Sequence, residues 1–167
     1  MLAVTGRVSN LIAFTGYMTF IFLALCLAMT PLYIIWGNSN GLPFKRPYGI
    51  TTFVYATLHG LGYLWQQDWG WSALVANAFV LTGVAAFVIM VPLAGTSNDA
   101  AMKALGKNWK RMQRMTYLVA ILVTMHTLML GSPGGVILLA LLAVRIPPIR
   151  RYFVQRRSRL KHQPVAV

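Results

Sequence analysis

Residues 11–36 read LIAFTGYMTFIFLALCLAMTPLYIIW, without one charged side chain. A helix crossing the hydrocarbon core of a bilayer needs about 20 mostly apolar residues, so this stretch is long enough to span. It is longer than the apolar part of a signal peptide and lacks a convincing small-residue cleavage site, which makes it a retained helix. Working outward, residues 48–66, 72–93 and 113–130 repeat the pattern. A shorter fifth segment runs from 135 to about 149, with Arg145 inside it and Pro147 and Pro148 ending it. Arg145 can snorkel to the interface, which lets that segment span. Breaks fall at 37–47, 67–70, 95–111 and 131–134, where glycine, proline and polar residues gather. The expected architecture is an all-α integral membrane bundle of about five transmembrane helices. No internal repeat is evident.

Composition agrees. Hydrophobic residues make up 57% of the 167 and charged residues 10%, against roughly 25% charged in a soluble domain. Fifteen Lys and Arg face two acids, Asp68 and Asp99, for a net charge of +13. A charge of that size also suits nucleic acid, but here the basic residues lie between apolar runs and form no polar face. Membrane lipid is therefore the expected surface partner, and nucleic acid is excluded. Cys26 is the single cysteine, so neither a disulfide within the chain nor a thiolate metal cluster can form. Its position in an apolar run is that of a packing residue.

The basic residues set an orientation. Lys45 and Arg46 follow the first segment, and Lys103, Lys107, Lys110, Arg111 and Arg114 surround the break before the fourth. Arg150, Arg151, Arg156, Arg157, Arg159 and Lys161 follow the fifth. With five spans all of these share one face, and only Arg7 lies clearly opposite. The positive-inside rule then places the amino terminus outside and the carboxyl terminus in the cytoplasm. Trp36, Trp65, Trp69, Trp71 and Trp109 lie near segment ends, where interfacial aromatics belong. The expected division is a transmembrane domain over 1–150 and a basic cytoplasmic tail over 151–167.

Loop 95–111 reads as a short amphipathic surface helix. Ser97, Asn98 or Asp99 can cap it, and Ala101, Leu105 and Trp109 recur at helical spacing, with the lysines largely elsewhere around it. Two uses remain open: a solvated basic loop held by anionic lipid, or a docking surface for an acidic electron-donor protein.

Paired carboxylates, a Ser-His-Asp set and a phosphate-binding glycine loop are all missing. Two acids in the whole chain make hydrolytic acid–base chemistry untenable. The histidines remain. His162 lies in the basic tail and reads as solvated. Ionisable residues inside membrane helices are rare and tend to be functional, which singles out His59 and His126. At 1.5 Å per residue His59 sits about 10 Å, and His126 about 8 Å, from the outer end of its helix. Two helices running the same way thus carry histidines at nearly one depth, as bis-histidine haem ligation requires. Ala56, Gly60 and Gly62 keep the second helix thin beside His59, which lets a porphyrin approach. The competing reading is close helix packing, with each histidine hydrogen-bonded to a neighbouring helix. A zinc site lacks a third ligand at that depth.

The stretch Lys45-Arg46-Pro47-Tyr48-Gly49, followed by Tyr55-Ala56-Thr57-Leu58-His59, resembles the second conserved helix of the MsrQ/YedZ haem-binding membrane subunits. A more specific resemblance runs from Leu93-Ala94-Gly95-Thr96-Ser97 through Ala101-Met102, Leu105-Gly106-Lys107 and Trp109 to Tyr117-Leu118-Val119-Ala120-Ile121-Leu122 and His126. Thr5-Gly6-Arg7 and Thr30-Pro31-Leu32 are similar landmarks in order, so the likeness covers most of the chain from Thr5 to about Arg151. These subunits belong to the ferric-reductase-like transmembrane superfamily, which includes the NADPH-oxidase membrane core.

The resemblance implies haem b between the second and fourth helices, with His59 and His126 at ligand positions. It also implies electrons arriving from a flavin reductase or the quinone pool and leaving to a periplasmic, molybdenum-containing methionine sulfoxide reductase. Two features depart from the pattern. Gln113 stands where a histidine is usual, thirteen residues before His126, and the family's usual first helix has no counterpart, giving five spans in place of six.

The expectation is a bacterial inner-membrane b-type cytochrome, an electron-transfer subunit of an oxidoreductase system with one haem b per chain. An FMN or quinone site is expected near Gln113, Arg111 and Arg114. The alternative is a non-catalytic subunit scaffolding a larger complex, its haem structural or absent. Topology is directly testable. Reporter fusions after Gln67 and Ser132 should read as external and one after Lys103 as cytoplasmic; an external signal at Lys103 would invert the orientation.

Overall fold

The structure, a computed structural model, describes residues 2–161; His162 lies outside them. Every regular element among these residues is helical. Helix α1 (Leu2–Trp36) contains the long apolar run and Pro31. A 3-10 turn (Leu42–Phe44) leads into α2 (Lys45–Gln66). A second 3-10 turn (Trp71–Val75) precedes α3 (Ala78–Gly95). Two short helices, α4 (Asp99–Leu105) and α5 (Lys107–Gln113), join α3 to α6 (Thr116–Met129). The chain closes with α7 (Gly135–Ala143) and α8 (Pro147–Lys161).

Hydrogen bonds between helices give the relative directions. Gln66 Nε2 donates to Ser9 Oγ at 2.9 Å, and at the opposite end Cys26 Sγ lies 3.3 Å from the Lys45 carbonyl, so α1 and α2 are antiparallel. His126 reaches Phe79 at one end and Gln113 reaches Leu93 at the other, so α3 and α6 form a second antiparallel pair. Gly134 abuts Phe20 while Arg145 donates to the Leu27 carbonyl, which sets α7 parallel to α1. The centre is a small cluster of Leu23, Leu27, Ala86, Met90, Leu93, Val119, Ala120 and Leu138. Cys26 is buried beside it, as a packing residue should be.

Around this cluster the outward faces are also apolar. Leu58 and Leu61 on α2, Val88 and Val91 on α3, Ile121 and Met125 on α6 and Val136 and Ile137 on α7 are all exposed. A soluble monomer does not present so continuous an apolar surface, whereas lipid is the natural solvent for it. The hydroxyls obey the same constraint. Thr15, Thr19, Thr52, Thr57, Thr82 and Thr124 each donate to a carbonyl three or four residues back on their own helix, so these hydroxyls are satisfied without water. The protein is an all-α, membrane-associated bundle.

Several boundaries differ from the sequence-based expectation. Two helices, Gly6–Trp36 and Ala78–Gly95, are both long and apolar enough to cross a membrane. Helix α1 begins well before residue 11. Residues 72–77 do not belong to α3, because Asn77 takes extended backbone immediately before it. The fifth segment is divided. Helix α7 has nine residues, about 14 Å of rise and half the hydrocarbon thickness. Pro147 and Pro148 do not end that segment: they open α8, where the missing proline N–H groups cost no helical bond. Helix α8 then continues to Lys161. Asn98 is the cap of α4, its Oδ1 accepting from Ala101 N at 2.8 Å.

Leu138 is fully buried, whereas Val136, two residues away and on the opposite face of α7, is 57% exposed. Leu138→Ala leaves a cavity that a close-packed interior fills only partly. It should destabilise the detergent-solubilised protein by about 2 kcal/mol in thermal or denaturant unfolding, and Val136→Ala should leave stability nearly unchanged.

Candidate functional site

His59 on α2 and His126 on α6 face each other near the end of the bundle marked by Ser9 and Gln66. Their ring centres are 6.4 Å apart and their planes meet at 89°. Each ring is held the same way. His59 Nδ1 lies 2.9 Å from the Ile12 carbonyl oxygen on α1, and His126 Nδ1 lies 2.6 Å from the Phe79 carbonyl oxygen on α3. A carbonyl oxygen only accepts, so Nδ1 carries the proton in both rings. Nε2 is then the unprotonated nitrogen of the neutral imidazole, available as an acceptor or ligand.

Both carbonyls already take part in helical bonding, and a second donor needs an open approach. A helical Cβ points back toward the amino terminus, so the residue four positions later normally shields the carbonyl. That residue is glycine in both cases. A Cβ on Gly16 would lie 2.9 Å from Nδ1 and Cε1 of His59, and one on Gly83 would lie 3.1 Å from the same atoms of His126. Gly16 and Gly83 thus open the lane through which each imidazole reaches its carbonyl. The Phe79 ring lies beside His126, centroids 5.9 Å apart.

The two half-sites are copies of one arrangement. Ile12, Thr15, Gly16 and His59 correspond to Phe79, Thr82, Gly83 and His126, every pair 67 residues apart. Thr15 Oγ1 donates to the Ile12 carbonyl at 3.1 Å and Thr82 Oγ1 to the Phe79 carbonyl at 2.7 Å. The repeat is structural and local, too sparse to stand out by inspection. Its readable trace is a Thr-Gly pair recurring at the spacing of the histidines.

Among the sequence-derived pocket residues, Ala56 packs against the central cluster. Gly62 is buried against Ile12, where a Cβ would come 3.1 Å from Cγ1, so it brings α2 close to α1. Gly60 faces open space. Among the described residues no group of three or more His, Cys, Asp or Glu comes together.

At the opposite, basic end a cavity of about 620 Å³ opens between α1, α2, α3 and α6, its lining including Arg46, Trp109, Gln113, Arg114, Tyr117 and Arg145. Arg111 is exposed and is not part of that wall. Gln113 Nε2 donates to the Leu93 carbonyl at 3.2 Å. Arg46 pairs with Asp99 at 2.7 Å, joining the start of α2 to the start of α4. Trp109 Nε1 donates to the Thr96 carbonyl at 2.9 Å, which holds α5 under the end of α3.

A bundle of apolar helices carrying one deeply placed histidine on each of two parallel helices defines a class, and comparison with known proteins agrees with it. Residues 15–124 match the ferric reductase like transmembrane component family, and the chain belongs to that family. It is similar to the protein-methionine-sulfoxide reductase heme-binding subunit MsrQ of Rhodospirillum rubrum, at 36% identity over 78% of this chain and 70% of that protein. The MsrQ of Azospira oryzae is 40% identical over 69% of this chain and 52% of its own length. The magnetosome protein MamZ of Magnetospirillum gryphiswaldense is 36% identical over 71% of this chain and 19% of its own length. The chain thus spans about half the Azospira protein and about a fifth of MamZ. No solved structure matches.

Proposed function

We propose that the chain is a membrane-embedded electron-transfer subunit holding one haem b between α2 and α6, with His59 and His126 as axial ligands. The carrying observation is the geometry of the imidazole pair. Metal–nitrogen bonds of about 2 Å on each side, with ring centres roughly 1 Å behind each nitrogen, separate the centres by roughly 6 Å. The observed 6.4 Å fits. The hydrogen bond to Nδ1 is the outer contact that orients a metal-binding histidine and strengthens Nε2 as a donor. The family membership and the MsrQ relatives, which are named as heme-binding subunits, support the same cofactor.

The bound haem would supply one-electron chemistry. The polypeptide's own work is different. Ile12 and Phe79 fix the tautomer and ring direction, Gly16 and Gly83 allow that contact, and the apolar helices keep water from the pair. Gly60, facing open space beside His59, leaves room along α2 for a planar group.

In this reading α1, α2, α3, α6 and α7 are five spans, α7 completed by the turn around Arg145. The Ser9–Gln66 end faces outward in the bacterial inner membrane, and the basic end, including residues 151–167, faces the cytoplasm. Gln113 and Arg114, in the lining of the basic cavity, would hold a quinone or an FMN, which would supply electrons from the quinol pool or a cytoplasmic flavin reductase. The acceptor at the histidine end would be a periplasmic molybdoenzyme-type reductase; the MsrQ relatives, named as subunits of a methionine-sulfoxide reductase, support a reductase in that place.

Visible spectroscopy tests the ligand assignment. His59→Ala and His126→Ala should each abolish the low-spin bis-histidine spectrum, and His162→Ala should leave it intact. Gly16→Val or Gly83→Val should perturb or lose that spectrum, because a side chain there displaces the ring from its carbonyl. Normal low-spin spectra in both histidine variants would sink the assignment.

Stoichiometry tests the single site. Pyridine haemochrome assay against protein concentration should give a ratio near one haem per chain. A ratio near two would mean that a residue other than histidine completes a second site at the basic end.

A further inference from the structure

A second cleft, of about 470 Å³, opens where α7 turns into α8 and is lined by Arg145, Pro147, Arg150, Arg151, Val154 and Gln155. We propose that it seats the phosphate of an anionic phospholipid drawn from the leaflet at the basic end of the bundle. Three arginines line one cleft, and no carboxylate among the described residues belongs to its wall. Among the described residues the single ion pair is Arg46–Asp99, and Asp68 lies in the turn after α2, at the other end of the bundle. The side chains of Arg150 and Arg151 are exposed and make no hydrogen bond among the described residues.

Arg145 is the anchor. Its two terminal nitrogens donate to Tyr117 Oη at 2.9 Å and to the Leu27 carbonyl at 2.6 Å, with the guanidinium 5.1 Å from the Tyr117 ring centre. Its Nε is the one buried side-chain donor without a partner among the described residues. A buried donor left unpaired on a cation is costly, and this cation is fixed in place by its other bonds. A phosphate diester supplies the missing charge and several acceptor oxygens, and arginine forks match its geometry. Basic pockets between helices on the cytoplasmic side are where such headgroups bind. The surroundings favour a lipid over a soluble anion. Val154 in the cleft wall and Ile146 beside it are exposed apolar side chains, placed for acyl chains and wasted on free phosphate.

Native mass spectrometry of the full chain in detergent tests the site, with phosphatidylglycerol or phosphatidylcholine supplied at equal concentration. One phosphatidylglycerol should be retained per chain, and phosphatidylcholine should not. Arg150→Gln/Arg151→Gln should weaken retention about tenfold, as loss of charge-assisted phosphate contacts implies. Arg156→Gln/Arg159→Gln removes the same charge from exposed positions of α8 outside the cleft and should leave retention unchanged. Equal loss in both double variants would mean diffuse attraction to a basic helix and overturn the site. Displacement of the lipid by millimolar inorganic phosphate would overturn the lipid assignment in favour of a soluble anion. Unchanged retention in the Arg150/Arg151 variant would overturn both. The haem spectrum and helical circular dichroism of each variant, expected to match the parent, keep a folding defect from being read as lost binding.

Discussion

A bilayer offers no water to a polar side chain, and that constraint governs this bundle from end to end. An imidazole at membrane depth must spend one nitrogen on a partner inside the protein. His59 and His126 both spend Nδ1 on a backbone carbonyl of the adjacent antiparallel helix. Those bonds set the register of α2 against α1 and of α6 against α3, because sliding either pair by one residue would bring a Cβ-bearing position over the carbonyl in place of glycine. They also leave Nε2 of both rings as the group not consumed by the fold. Structure and chemistry are thus settled by the same two contacts: the bond that satisfies the fold creates the free nitrogen.

The repeated half-site explains why the pair is so evenly matched. Each helical hairpin carries carbonyl, threonine, glycine and histidine at the same offsets, and each hydroxyl turns back onto the carbonyl that the imidazole uses. Two copies of one hairpin related in this way place their histidines at one depth by construction. No separate adjustment of helix length is needed. The connections bear this out, since α1 and α3 differ greatly in length while the histidine ends coincide.

Much of this was legible in the sequence, and the parts that were not have physical causes. Apolar runs and basic breaks identify membrane helices because the bilayer imposes a length and a charge rule. Counting rise per residue from helix ends brings His59 and His126 to one level because α2 and α6 end at or within two residues of the breaks used for the count. Gly16 and Gly83 escaped notice because a glycine in an apolar helix has no signature of its own; its role depends on which ring crosses it from another helix. Gly62, chosen for its nearness to His59 in sequence, lies against the side chain of Ile12, the residue whose carbonyl holds His59, so its small size serves the close approach of α2 to α1. The helix boundaries at 72–77 and 144–146 were hidden by composition. Both stretches are apolar enough to continue a span, and tertiary packing decided otherwise.

The basic end departs from the symmetry that the histidine end keeps. Arg46 and Gln113 occupy equivalent positions of the two hairpins, each thirteen residues before its histidine, yet neither is left free. Arg46 is drawn to Asp99 and Gln113 to the Leu93 carbonyl. Where the histidine end presents two matched rings, the basic end presents a cation and an amide tied to different neighbours. With one of the chain's two acids already held by Arg46, the remaining cations of α4, α5 and α8 have almost nothing within the described residues to neutralise them. A bundle end of that kind attracts surfaces and ligands that carry negative charge. The charge asymmetry between the two ends therefore favours negatively charged surfaces and ligands at the basic face.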